Sequence, residues 1–193
     1  MDYLYPLLVL TVVHLMAVMS PGQAFIVVSR TALSSGRPAG MAATLACGLG
    51  VMPWAIGAIL GLALLFQQSP LLYAGLKLAG GLYLIYVAIM VWRHAADPLA
   101  APTTGSRQSP AKAFRDTFLM QIANPKVAVF FGSIFAAVLP DNPPPWMIAA
   151  ILTIVFVSEI VWYTLVAVVF SSAGPRAIYA RLKPILDRVM AVL

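Results

Sequence analysis

Polar residues along this chain are gathered into short segments between long apolar runs. Residues 3–29 and 40–66 contain no Asp, Glu, Lys or Arg, and 71–92, 113–139 and 146–171 are apolar runs with few charges. Crossing the hydrocarbon core of a bilayer takes about 20 residues of helix, so each of the five runs predicts a transmembrane helix. Residues 176–193 form a sixth segment whose apolar part is short, and it is expected to be truncated or only partly inserted. Between the runs lie a tight turn at Gln67-Gln68-Ser69-Pro70, a polar loop at 93–112 and a stiff proline turn at 140–145. The expected fold is all-α and integral to a membrane: six transmembrane helices in a single domain over 1–193.

Two of the runs contain what a buried apolar helix avoids. Ser20-Pro21-Gly22 interrupts the first and Asn124-Pro125-Lys126 the fourth. Proline inside a helix removes a donor and strains the preceding turn. Asparagine adds four hydrogen-bonding sites, and a lysine at membrane depth costs about 2.5–3.5 kcal/mol on insertion scales. Broken backbone beside a charge is tolerated only where it is buried in protein or lines a wet cavity. Both runs therefore predict pairs of half-helices, with Asn124-Pro125-Lys126 at the centre of the scaffold. In the second run Pro53 predicts a kink, and Gly48, Gly50, Gly57 and Gly61 are spaced for close helix contact.

A weak internal repeat accompanies the breaks. Tyr73-Ala-Gly-Leu-Lys77 matches Tyr179-Ala-Arg-Leu-Lys183, and the two breaks match at nearly the same offset. Repeat one then covers about 1–92 and repeat two 113–193, joined by the loop 93–112. Three helices per half put the halves in opposite orientations, so the expected architecture is two inverted three-helix repeats with broken first and fourth helices, a secondary-transporter layout.

Composition agrees with a membrane solution. The chain is 62% hydrophobic and 9% charged, against about 25% charged for an average soluble domain. The net charge of +6 does not form a basic stripe with interleaved aromatics, which argues against nucleic acid. Ten of the twelve Lys and Arg residues lie in the loops after the first, third and fifth runs or on the entry to the sixth segment, and none in the loops after the second and fourth. That bias puts the odd-numbered loops in the cytoplasm and the N-terminus outside. The N-terminus has no basic n-region, and its apolar run is too long for a signal peptide, so that helix is expected to be retained. The single Cys47 excludes an internal disulfide and any CxxC motif, and two histidines with one cysteine make no metal site. No catalytic or phosphate-binding motif is present. Neither an enzyme nor a cofactor is expected.

The half-helix starting after Gly22 offers free amides and a positive dipole end suited to a carboxylate, and the one starting near Lys126 adds a full positive charge. Ser20, Pro21, Gly22, Gln23, Asn124, Pro125 and Lys126 are the candidate substrate-binding residues; the alternative is two proline kinks that only shape the bundle. Glu159 is the one acid in the middle of a run. A lone carboxyl at that depth is a candidate for proton uptake and release, for meeting a substrate amino group, or for a structural pair with Lys126. Lys77 either takes part or snorkels to the outer interface. His14 is a proton relay or a hydrogen-bonded bundle residue, the latter being commoner. Tyr83 is a further candidate; with Tyr86, Trp54 and Trp162 its ordinary role is packing or interface anchoring.

Ser20-Pro21-Gly22, Leu76-Lys77-Leu-Ala-Gly-Gly81-Leu-Tyr83-Leu-Ile-Tyr86 and Asn124-Pro125-Lys126-Val-Ala-Val-Phe-Phe131 together resemble the lysine-exporter (LysE/RhtB) family of bacterial amino-acid exporters. Glu159, followed by Trp162-Tyr163, resembles the acidic position of that family's fifth helix. The resemblance covers the chain up to about Pro175. It implies six helices, an inner-membrane location and efflux of amino acids or similar metabolites driven by the proton gradient. Two departures stand out. Gln23 replaces the second proline of the family's Pro-Gly-Pro, which softens the first break, and the sixth segment is shorter than the family's sixth helix.

The reading is a secondary-active exporter of amino acids, neutral ones for preference, coupled to proton antiport by rocking of the two halves. One buried acid and at least one buried base suit a zwitterion. Its partners are the amino acid, the proton and the lipid bilayer, and the glycine-rich runs leave a homodimer open. The rivals are an exporter of another small metabolite or a cation, a membrane redox carrier of a related fold, which would need two facing cysteines, and a non-transporting scaffold, which does not explain a lysine and a glutamate at mid-membrane depth.

Overall fold

A computed structural model describes residues 3–20, 22–68, 107–140 and 142–171, with isolated positions between 71 and 93. Six helices are delimited among the described residues: α1 (Leu4–Met19), α2 (Gln23–Ser35), α3 (Arg37–Gln68), α4 (Pro110–Ile122), α5 (Pro125–Val138) and α6 (Pro145–Phe170). No strand occurs among them. The third run is represented only by isolated helical, exposed positions such as Leu78, Leu82 and Ile85, and the segment 176–193 lies outside the described residues.

Two stretches, Arg37–Gly61 in α3 and Pro145–Phe170, are each long and apolar enough to cross a membrane alone. Two further spans result if each bent pair counts as one: α1 and α2 meet at 51°, α4 and α5 at 54°. The burial pattern is that of helices in lipid. On α1, Leu10, His14 and Val18 face inward while Leu4, Leu8, Val12 and Leu15 face outward. On α6, Val155, Glu159, Tyr163 and Val166 face inward while Val157, Val161 and Leu165 face outward. A helix apolar on its outer face has no use for water there. On α3 the small residues Ala39, Ala43, Ala46, Cys47 and Ala55 are buried, whereas Met41, Leu45, Leu49, Ile56 and Leu60 are exposed. Small residues inward and large ones outward is the packing rule of membrane helices, where close backbone approach replaces the hydrophobic drive. The described residues are thus all helical and packed as in a multi-pass membrane protein.

Glycine marks the closest approaches. A Cβ on Gly40 would stand 2.9 Å from Ala32 Cβ of α2, one on Gly48 2.8 Å from Ile160 Cδ1 of α6, and one on Gly50 2.7 Å from Gln121 Cβ of α4. Gly57 and Gly61 meet nothing among the described residues, whereas Gly48 and Gly50 are at close contacts as expected. Gly36, at φ 82°, is the one described residue with positive φ, and it ends α2 where the chain turns into α3. Pro53 lies inside α3, which continues through it.

The first half-helix pair extends further than the charge-free run. α2 runs on to Ser35 and carries Arg30 as a half-buried helical residue rather than a loop residue. α1 and α6 run parallel: Tyr3 stacks edge-on against Trp146 at 5.6 Å near their starts, and the Tyr163 hydroxyl donates to the Val18 carbonyl at 3.5 Å further along.

Candidate functional site: the junction of two broken helices

Each break is built differently. At the second, Ala123 closes α4 and Asn124 turns extended (φ −82°, ψ 104°) as the N-cap of α5. The Asn124 Oδ1 accepts from the Lys126 amide at 3.1 Å, and Pro125 occupies the first helical position. There proline's missing donor costs nothing, because the first amides of a helix have no intrahelical acceptor. The expected strain is absent for this reason: Asn-Pro here restarts a helix rather than kinking one. At the first break Ser20 ends α1 in an extended conformation and Gly22, also extended, begins α2 with no side-chain cap. The first recorded bond back to Gly22 is from the Ile26 amide, at 3.1 Å.

The two breaks meet. A Cβ built on Gly22 would lie 3.6 Å from Lys126 Nζ. The ammonium of the fourth run is therefore seated against the uncapped start of α2, where helix dipole and unpaired amides already favour an anion. Ser20 and Asn124 are buried beside it, whereas Gln23 and Pro125 are exposed at the first positions of their helices. Pro21, Lys77 and Tyr83 lie outside the described residues.

Glu159 stands on the inward stripe of α6, 5% exposed, and its Oε2 has no hydrogen-bond partner. Val155, one turn before it, belongs to one apolar cluster, and Tyr163, one turn after it, to the other. The carboxyl thus sits where the two clusters adjoin, and Cys47 of α3 belongs to the cluster of Tyr163. No ion pair joins Glu159 to Lys126 among the described residues; the salt bridges found there are those of Asp116 with Lys112 and Arg115, on the exposed start of α4. The structural Lys–Glu pair considered from the sequence is therefore not formed in this conformation. Tyr163 ties this level of α6 to Val18, two residues before the first break.

His14 is 2% exposed. Its ring packs against those of Phe130 and Phe131, at 5.9 and 5.7 Å, which touch each other at 5.4 Å, and it lies beside the backbone of Val155, though neither ring nitrogen reaches full hydrogen-bond geometry.

Sequence reasoning passed over Gln121. It is buried against Gly50 with an unpartnered Oε1, and it continues the inward stripe Ala113, Thr117, Gln121 of α4 toward the break. The i, i+4 spacing of Thr117 and Gln121, ending three residues before Asn124, was the available signal.

Paired broken helices joined at a cation, with a lone carboxyl in the bundle, define a membrane-protein architecture with irregular backbone between its apolar helices. The family model of the LysE type translocator matches residues 15–193. A threonine efflux protein of Escherichia coli (strain K12) is 34% identical over 183 residues, covering 93% of this chain and 89% of that protein. A homoserine/homoserine lactone efflux protein of Salmonella typhimurium is 33% identical over 142 residues, covering 71% of this chain and 68% of the relative. An uncharacterized membrane protein of Haemophilus influenzae is 28% identical over 188 residues, 95% of this chain and 90% of that one. No solved structure matches. The chain belongs to the LysE type translocator family.

Proposed function

We propose that the protein exports neutral amino acids across the bacterial inner membrane in exchange for protons, with hydroxyl-bearing amino acids as the first substrates to try. The carrying observation is the meeting of Lys126 Nζ with the Gly22 start of α2. A substrate carboxylate bound there gains a charge-assisted partner and the open amides of a helix N-terminus. Glu159 alternates between the substrate amino group and a proton. The family and the efflux proteins to which the chain is similar support export of amino acids, and threonine and homoserine, named in two of those relatives, are neutral and carry a hydroxyl. With Glu159 as the sole acid within the described spans beyond the exposed start of α4, a second cationic group on the substrate would lack a partner, so dibasic amino acids are disfavoured.

Counterflow in proteoliposomes tests this. Vesicles loaded with one unlabelled amino acid should accumulate labelled threonine or homoserine ahead of lysine or arginine, and a pH gradient should drive uptake in the parent. Glu159→Gln should abolish the pH drive. Counterflow restricted to dibasic amino acids, or a pH response unchanged in Glu159→Gln, would overturn the assignment.

A further inference from the structure

We infer that His14 is a second proton-binding group, in series with Glu159, so that the coupled proton passes between the α6 carboxyl and the α1 imidazole. The inference rests on the proton-coupled reading above and adds a route to it.

A neutral imidazole carries one N–H donor and one lone-pair acceptor. Burying such groups unpaired is costly. Both His14 nitrogens are buried without partners, among residues where a phenylalanine or leucine would pack at no such cost. The neighbours account for at most one of the two nitrogens. Phe130 and Phe131 of α5 cover the ring with aromatic carbon, and α6 offers the Val155 backbone. One turn beyond Val155, on the same inward stripe, stands Glu159 with its own unpartnered Oε2.

The parallel registry of α1 and α6 holds these groups level. Tyr3 meets Trp146, His14 lies at Val155, and Tyr163 reaches Val18. Glu159 therefore lies between the level of His14 and that of the first break. Four residues of helix rise about 6 Å, a gap that a side-chain rotation or one water closes for proton transfer. The described titratable groups near this path are Glu159 and, one turn on, Tyr163 from α6, and Cys47 from α3, which shares an apolar cluster with Tyr163; α5 presents the two phenylalanine rings. Lys126 sits past the break, at Gly22. An imidazole can take a proton on one nitrogen and release one from the other, which suits it to load and unload a carboxyl that must also meet a substrate amino group.

The test separates exchange from proton coupling. Purified parent and His14→Gln proteins are reconstituted with a pH-sensitive dye in the lumen, and threonine or homoserine counterflow is measured beside substrate-coupled proton flux. Glutamine keeps a donor and an acceptor but does not titrate. His14→Gln should retain counterflow close to the parent while proton flux and pH-driven accumulation fall by about 100-fold, the range of a lost acid–base group. Normal proton flux in His14→Gln overturns the inference, as does loss of exchange and flux together in a folded protein, since His14 would then serve structure or substrate. If His14→Gln fails to insert, His14→Phe, which fits among the phenylalanine rings, is read by the same outcomes. Counterflow without proton flux in the parent itself overturns the antiport reading, and the inference with it, whereas a coupled parent with a coupled His14→Gln overturns the inference alone.

Discussion

The two breaks bend their helices almost equally, 51° and 54°, by different chemistry. The second is closed on itself: Asn124 caps the Lys126 amide, and proline fills a position that needs no donor. The first is open, since Gly22 brings no side chain to cap α2. What the second break does not use on itself, the Lys126 ammonium, it extends to the first. One bend holds a charge in place, and the other leaves its dipole end free for a ligand. Equal geometry does not mean equal roles, and the repeat seen in the sequence conceals that division.

Substitutions at each break can separate these roles. The largest effect should come from Lys126→Ala, which removes the only charge at the junction among the described residues: kcat/KM for export should fall by about 100-fold, the scale of a lost hydrogen bond to a charged group. Normal export by a well-inserted variant would remove Lys126 from the site. Asn124→Ala should act on stability first. Losing a cap costs about 1 kcal/mol, or a fall of roughly 2–4 °C in Tm for a chain of this size, and transport should drop less than with Lys126→Ala. Asn124→Asp, which keeps an acceptor for the Lys126 amide, should recover most of that Tm; no recovery would mean that the cap is not what holds the second break. Gly22→Ala should have the smallest effect. Its φ of −120° suits any residue, and its Cβ would meet Lys126 Nζ at ordinary contact distance. Folding should be unchanged and KM should rise a few-fold, as measured by concentration-dependent counterflow. A collapse in stability would show the first break to be as structural as the second.

Much of this was legible in the sequence, because both membrane spans and breaks have local signatures. The apolar runs located α3 and α6 to within a few residues of their ends, and Asn-Pro-Lys located the second break. The extension of α2 through Arg30 was not legible, since a charge usually marks the end of a span. Nor was the seating of Lys126 at Gly22, the level of His14 against Val155, or the burial of Gln121 at Gly50. These depend on which helices are neighbours and in what register, and no local pattern in an apolar helix encodes that. The ordinary role for His14 rested on frequency, and frequency says nothing of a ring packed against two phenylalanines.

Gly48 and Gly50 are two residues apart, which on an α-helix is about 200° of rotation. One receives α6 and the other α4, so α3 is gripped from nearly opposite sides by helices of the second half.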